Sequence, residues 1–151
     1  MRVEQALHVA APAPVVWQVI TDLARYPEWN PFVRACRSDL AVGSPIDMRV
    51  AGLAPFELAQ REHILAHEPG RRLCYGLDGA FAGGVSSERC HVVTPLDAAT
   101  TRYESSFALR GTLAPLVRLL LGRRLAHGFD AMTAALAKRA EALAALGSAA
   151  H

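Results

Sequence analysis

Three ionisable side chains stand where strand alternation could bring them together. Glu62 lies in the run LAQREHILAH, and Arg89 and His91 lie in VSSERCHVVT. In an extended chain every second side chain shares a face. Gln60, Glu62 and Ile64 therefore form one set, and Arg89, His91 and Val93 another. If both sets turn inward, the interior holds Glu62, Arg89 and His91 with Tyr75, Tyr103 and Ser105 among apolar neighbours. A carboxylate beside an arginine keeps both charged, and an adjacent histidine can move protons near neutral pH. His91, Arg89 and Glu62 are thus the candidates for acid–base catalysis. A few polar groups in an oily pocket also suit plain binding of an aromatic or acyl molecule with one polar end. The lining would then be Tyr75, Tyr103, Ser105, Phe107, Phe129, Met132, Glu62, Arg89 and His91. A slip of one residue would turn Arg61, His63 and Leu65 inward instead, and the pattern does not choose sharply between the faces.

Other chemistries fit less well. His63 and His67 have His-x-x-x-His spacing, but on a strand four steps span about 13 Å, too far for one ion with ligands near 2 Å; no metal or cofactor is expected. Ser86 and Ser87 follow Gly83 and Gly84 without forming a Gly-x-Ser-x-Gly elbow. The glycines of residues 79–84 lead into a strand, not a helix N-terminus, so they do not cradle phosphate. That loop reads as a hairpin connection, with Phe81 as an apolar flap in the alternative. Cys36, Cys74 and Cys90 are an odd set with no C-x-x-C spacing, which predicts reduced thiols and a cytoplasmic protein, not a disulfide framework.

Positioning such groups requires a particular arrangement of elements. Residues 2–10 alternate as a strand with Val3, Gln5, Leu7 and Val9 on one side, and the prolines at 12 and 14 stop it. A short helix follows through VVWQVITDL, burying Val16, Val19, Ile20 and Leu23, and ARYPEWNP makes a second helical turn with Tyr26 and Trp29 as packing anchors. Period-two patterning then predicts strands over 33–40, 46–50, 58–67, 72–77, 85–94 and 100–109. The segment 112–146 closes the chain as a helix roughly 50 Å long at 1.5 Å per residue. Its stripe is Leu121, Leu125, Phe129, Met132, Leu136, Ala140 and Leu143. Gly122 and Gly128 admit a division of this helix into two pieces.

The 151 residues make one domain over 1–147, with 148–151 as a frayed tail. The apolar share of 52% suits a filled or cavity-lined core. Sixteen basic against 14 acidic residues leave a net charge of +2, which excludes a basic nucleic-acid-binding face as an expectation. The apolar run LAPLVRLLL is too short to span a bilayer, so no stable membrane insertion is expected. The leucines of LVRLLLGRRL pack on the sheet, or else on a partner or a second copy in a homodimer.

APAPVVWQVITDLARYPEWNPFV resembles the opening of the SRPBCC superfamily, the helix-grip fold of START lipid-transfer domains, the birch-pollen allergen and the polyketide cyclase/dehydrase family. The matching residues are Ala11-Pro12, Val16-Trp17 and Tyr26-Pro27-Glu28-Trp29-Asn30-Pro31. Glu68-Pro69-Gly70-Arg71-Arg72-Leu73 with Tyr75, the stretch from Thr101-Arg102-Tyr103 to Leu109-Arg110-Gly111 with Leu113 and Pro115, and Gly128-Phe129, Met132, Leu136 and Glu141 resemble its later parts. The resemblance implies an α+β helix-grip fold: a curved antiparallel sheet of about seven strands wrapped around a long C-terminal helix, with two short helices after the first strand. It implies a cavity between sheet and helix that binds a hydrophobic small molecule such as a lipid, polyketide or isoprenoid. The alternative it implies is a polyketide cyclase/aromatase-type enzyme with acid–base groups in the same cavity. Ser105 and Phe107 stand about where many relatives carry an acidic residue or histidine, so no catalytic motif is transferred with the resemblance.

Overall fold

Alternation of apolar and polar residues becomes seven strands in the computed structural model, which describes residues 1–79 and 84–150. They are β1 (Arg2–Val9), β2 (Val33–Arg37), β3 (Pro45–Val50), β4 (Leu58–Glu68), β5 (Arg72–Gly76), β6 (Val85–Pro95) and β7 (Thr101–Gly111). They form one antiparallel sheet in the order β1-β7-β6-β5-β4-β3-β2. From β2 onward each strand pairs with the next, as antiparallel neighbours do; β1 is placed by a long-range pairing, against β7. Phe81 falls within residues 80–83, outside the described residues.

Between β1 and β2 run α1 (Ala13–Thr21), a 3₁₀ turn (Leu23–Arg25) and α2 (Tyr26–Trp29). Pro14 occupies the first turn of α1, where its missing N–H has no helical acceptor to lose. Two polar side chains hold this connection. The buried Tyr26 hydroxyl donates to the Ile20 carbonyl at 2.7 Å. Asn30, fully buried, accepts the backbone N–H groups of Phe32 at 3.0 Å and Val33 at 2.8 Å, and so aims the chain into β2. Trp29 packs edge-on to Tyr26 with ring centroids 5.0 Å apart.

The chain ends in α3 (Ala114–Ala149), a single helix of 36 residues that runs on through Gly147. It is not divided at Gly128, because that glycine lets the helix approach Phe32: a Cβ there would run into the phenyl ring. Leu125, Phe129, Met132, Leu136 and Ala140 are buried against the concave face of the sheet, and each large apolar side chain so buried is worth about 1.5–3 kcal/mol. The first turns of α3 differ from expectation. Leu119 and Leu120 are 81% and 67% exposed and do not pack on the sheet, because they point opposite the buried stripe. Among the described residues no helix is long and apolar enough to cross a membrane.

The cysteine expectation is corrected. Cys74 and Cys90 form a disulfide, with Cα atoms 4.2 Å apart, and Cys36 alone is a free thiol. The pairing of β5 with β6 sets Cys74 directly opposite Cys90. Neither a spacing motif nor an even cysteine count is needed when register alone brings two thiols together. The argument from unpaired cysteines to a reducing compartment therefore does not stand. Closing a loop of 16 residues this way stabilises by about 3 kcal/mol in chain-entropy terms.

Candidate functional site

Sheet register builds the interior in rows. Across one row of the concave face run Val3, Phe107, Arg89, Tyr75 and Ile64; across the next run Gln5, Ser105, His91 and Leu73. Side chains directly opposite on neighbouring strands lie close enough to touch. Every one of the nine residues singled out from the sequence is consequently buried: Glu62, Tyr75, Arg89, His91, Tyr103, Ser105, Phe107, Phe129 and Met132. The opposite face of β4 carries Arg61, His63 and Leu65 to solvent. A bulge at Leu65 then breaks the alternation, so His67 comes back half-buried. His67 stacks on Trp17 and its Nδ1 pairs with the Leu40 carbonyl at 2.9 Å, which occupies it structurally.

The structure separates the nine residues into two groups. His91, Tyr103, Ser105 and Met132 sit deep and are packed dry. His91 Nδ1 lies 2.8 Å from the Tyr103 hydroxyl, and its Nε2 lies 3.5 Å from that of Tyr75. The Thr133 hydroxyl donates to Ser105 Oγ at 2.9 Å. Burial, and then the nearby Arg89 charge, push His91 well below its ordinary value, so it is a neutral imidazole. It is not beside the cavity, and the expected convergence of all three ionisable groups does not occur.

Glu62, Tyr75, Arg89, Phe107 and Phe129 line a cavity between the sheet and α3. The rest of its wall comes from Phe32 and Val33, Met48 and Val50, Leu53, Gln60, Leu77, Ser87 and Leu125. Gln60 and Leu77 are the least buried of these and mark the outer side. Alternation alone identified Gln60. Phe32 and Leu53 lie outside the strands, where no periodicity points to them, whereas Leu77 continues the alternation of Leu73 and Tyr75. The space open to the centres of water-sized molecules is about 80 Å³. One water needs roughly 10–15 Å³ on that measure, so the cavity has room for a handful of atoms and not for a whole polycyclic ligand.

Two polar groups give this space its chemistry. Arg89 is 2% exposed. Its guanidinium carbon sits 4.6 Å over the Phe129 ring, and Nη2 faces the Met132 sulfur at 3.9 Å. Nε and Nη1 have no hydrogen-bond partner among the described residues. The cation–π contact contributes roughly 0.5–2 kcal/mol but satisfies no N–H donor. Glu62 is 5% exposed, and Gln60 Nε2 donates to its Oε1 at 2.5 Å. Arginine and glutamate were expected to hold each other charged. Instead, loss of water outweighs both the Gln60 bond and the Arg89 charge, and the Glu62 carboxyl is pushed up to about 7. On β2, burial and the acidic neighbours Glu62 and Asp47 push the Cys36 thiol up to about 12, which leaves it an unreactive thiol. Among the described residues no three His, Cys, Asp or Glu side chains converge as metal ligands.

Residues 1–141 match the family described as polyketide cyclase / dehydrase and lipid transport. The chain belongs to this family. Solved structures of similar fold include a START superfamily protein from Mycobacterium smegmatis, 21% identical, with a TM-score of 0.69 over 94% of this chain and 98% of that one. Norcoclaurine synthase from Thalictrum flavum is 20% identical, with a TM-score of 0.67 over 93% of each chain. The di-domain ARO/CYC BexL of the BE-7585A biosynthetic pathway is 14% identical, with a TM-score of 0.68 over 90% of this chain but 46% of its own. At such identities the likeness shows the fold: the polyketide cyclase/dehydrase member described here has the START helix-grip architecture. No curated protein matches it by sequence.

Proposed function

We propose that this protein binds a hydrophobic small molecule, of the lipid, polyketide or isoprenoid kind, in the cavity between the sheet and α3. The observation that carries this reading is the apolar wall built from Phe32, Val50, Leu53, Phe107, Leu125 and Phe129 around a space that side chains leave unfilled. Unfilled volume in a core is unfavourable by about 24 cal/mol per Å³, so a ligand that fills such a space gains by doing so. The cavity is small, so a ligand of lipid size places one end inside. The rest leaves past Gln60 and Leu77 or spreads α3 from β3 and β4. Native purification from the protein's own host, then denaturing extraction and mass spectrometry, tests this. A stoichiometric apolar compound is the expected result. An empty protein that also takes up no lipid, aromatic or isoprenoid probe sinks it.

A cyclase-type activity is the second reading, and one observation favours it. A carboxyl held near neutrality beside a fixed cation is suited to passing a proton while Arg89 steadies developing negative charge on an oxygen. On this reading Glu62 and Arg89 carry the chemistry, and His91 acts only in packing. Glu62→Gln should then abolish turnover and leave binding intact. Full turnover by that variant excludes the role.

A further inference from the structure

The cavity holds a buried cation, Arg89, two of whose donors meet no acceptor among the described residues. An arginine side chain carries a positive charge, and a buried charge without a partner is unfavourable. The other lining groups do not answer it. Phe32 and, from β2 and β3, Val33, Met48 and Val50 are apolar; β7 and α3 present Phe107, Leu125 and Phe129. Glu62 is not among the hydrogen-bond partners of Arg89 and is held by Gln60. Tyr75 and Ser87 are neutral, and the Ser87 hydroxyl already accepts the Leu77 N–H at 3.1 Å. We propose that the cavity takes the carboxylate head of an organic monoacid with an apolar tail, and that Arg89 is the group that binds it.

This deepens the binding reading above and rests on it. A carboxylate accepts two N–H donors from one guanidinium, and such charge-assisted bonds are about twice as strong as neutral ones. The available volume suits a carboxylate and its first few carbons, with the tail against Leu53, Leu125 and Phe129. The titratable groups facing Glu62 are Cys36 on β2, Tyr75 on β5 and Arg89 on β6. Cys36 and Tyr75 are held neutral by burial, and α3 offers no ionisable group among the lining residues. A bound anion next to Glu62 favours the neutral carboxyl further, so binding takes up a proton. Affinity for the acid should fall as pH rises through about 7.

Titration calorimetry with hexanoate, hexanamide and 1-hexanol at pH 6 and pH 8 tests this on the full chain. Hexanoate should bind roughly tenfold or more tighter than either neutral compound at pH 6. Its advantage should shrink at pH 8. Arg89→Met and, should that variant misfold, Arg89→Gln should bind all three alike; Glu62→Gln should keep the preference and lose its pH dependence. Equal affinity of the wild-type protein for acid, amide and alcohol overturns the carboxylate assignment and leaves hydrophobic binding standing. Failure of all three, and of their eight-carbon homologues, removes both. A preference for hexanoate that survives loss of Arg89 also overturns the assignment.

Discussion

Two polar groups inside this sheet, His91 and Arg89, lie one row apart and answer burial in opposite ways. His91 is enclosed by two tyrosines, with Ser105 and Thr133 hydrogen-bonded to each other close by. Arg89 has aromatic and sulfur neighbours and two donors without acceptors. Both sites are buried and aromatic, so burial does not separate them. Satisfaction does: a completed hydrogen-bond network specifies a core, whereas an incomplete one beside a cavity leaves a place for a ligand. The histidine is the more familiar catalytic residue type, yet it is the group that stays packed away.

This contrast can be broken most forcefully at its packed end. Tyr103→Ala removes a fully buried ring and the partner of His91 Nδ1, and should cost about 3–5 kcal/mol in urea unfolding. A loss under about 1 kcal/mol would mean that the deep cluster is no better satisfied than Arg89.

The pH dependence of stability distinguishes the two regions by sign. Glu62 titrates at about 7 in the fold against an ordinary 4.5, so between these values the folded protein holds the extra proton. Its contribution favours the fold below about pH 4.5 and is lost as pH rises to about 7, an effect of about 3 kcal/mol. His91 has the opposite slope. Its folded value is depressed, so stability is lost as pH falls below its ordinary 6.5, where the unfolded chain gains the proton. Urea midpoints of wild type and Glu62→Gln from pH 4.5 to 7.5 should therefore diverge, with the variant gaining relative stability as pH rises. Parallel curves would place Glu62 in contact with water.

Arg89→Met should stabilise the ligand-free protein by roughly 1–4 kcal/mol, since it replaces an unanswered buried charge with a side chain of similar volume. A destabilised variant would show that the guanidinium serves packing, as His91 does. The smallest effect expected is from Thr133→Val, which removes one buried hydroxyl bond to Ser105 and should cost about 1 kcal/mol while leaving hexanoate binding unchanged.

Much of the sheet was legible before any coordinates. Strand alternation set Glu62 with Gln60, Arg89 with His91, and Tyr103 with Ser105 and Phe107, and turn residues bounded most strands within a few positions. The inward face of β4 was not legible, because Arg61, His63 and Leu65 alternate as regularly as Glu62 and Ile64 and nothing local ranks the two faces. The disulfide was hidden for a related reason: it depends on which residues of β5 and β6 lie opposite, and each strand carries a single cysteine there. Gly128, like Gly122, looked like a weak point of the helix, and only the Phe32 ring against it reveals a contact surface.

Local chemistry determined the elements of this chain and the periodicities that gather its aromatic and ionisable residues onto shared faces. Tertiary structure decided which of those residues meet open space. That division follows from how volume is filled: periodicity states that a side chain points inward, but whether its donors find acceptors depends on what packs across from it. For His91 the answer was Tyr103, twelve residues away across a turn; for Arg89 it was a phenyl face, a thioether and a cavity.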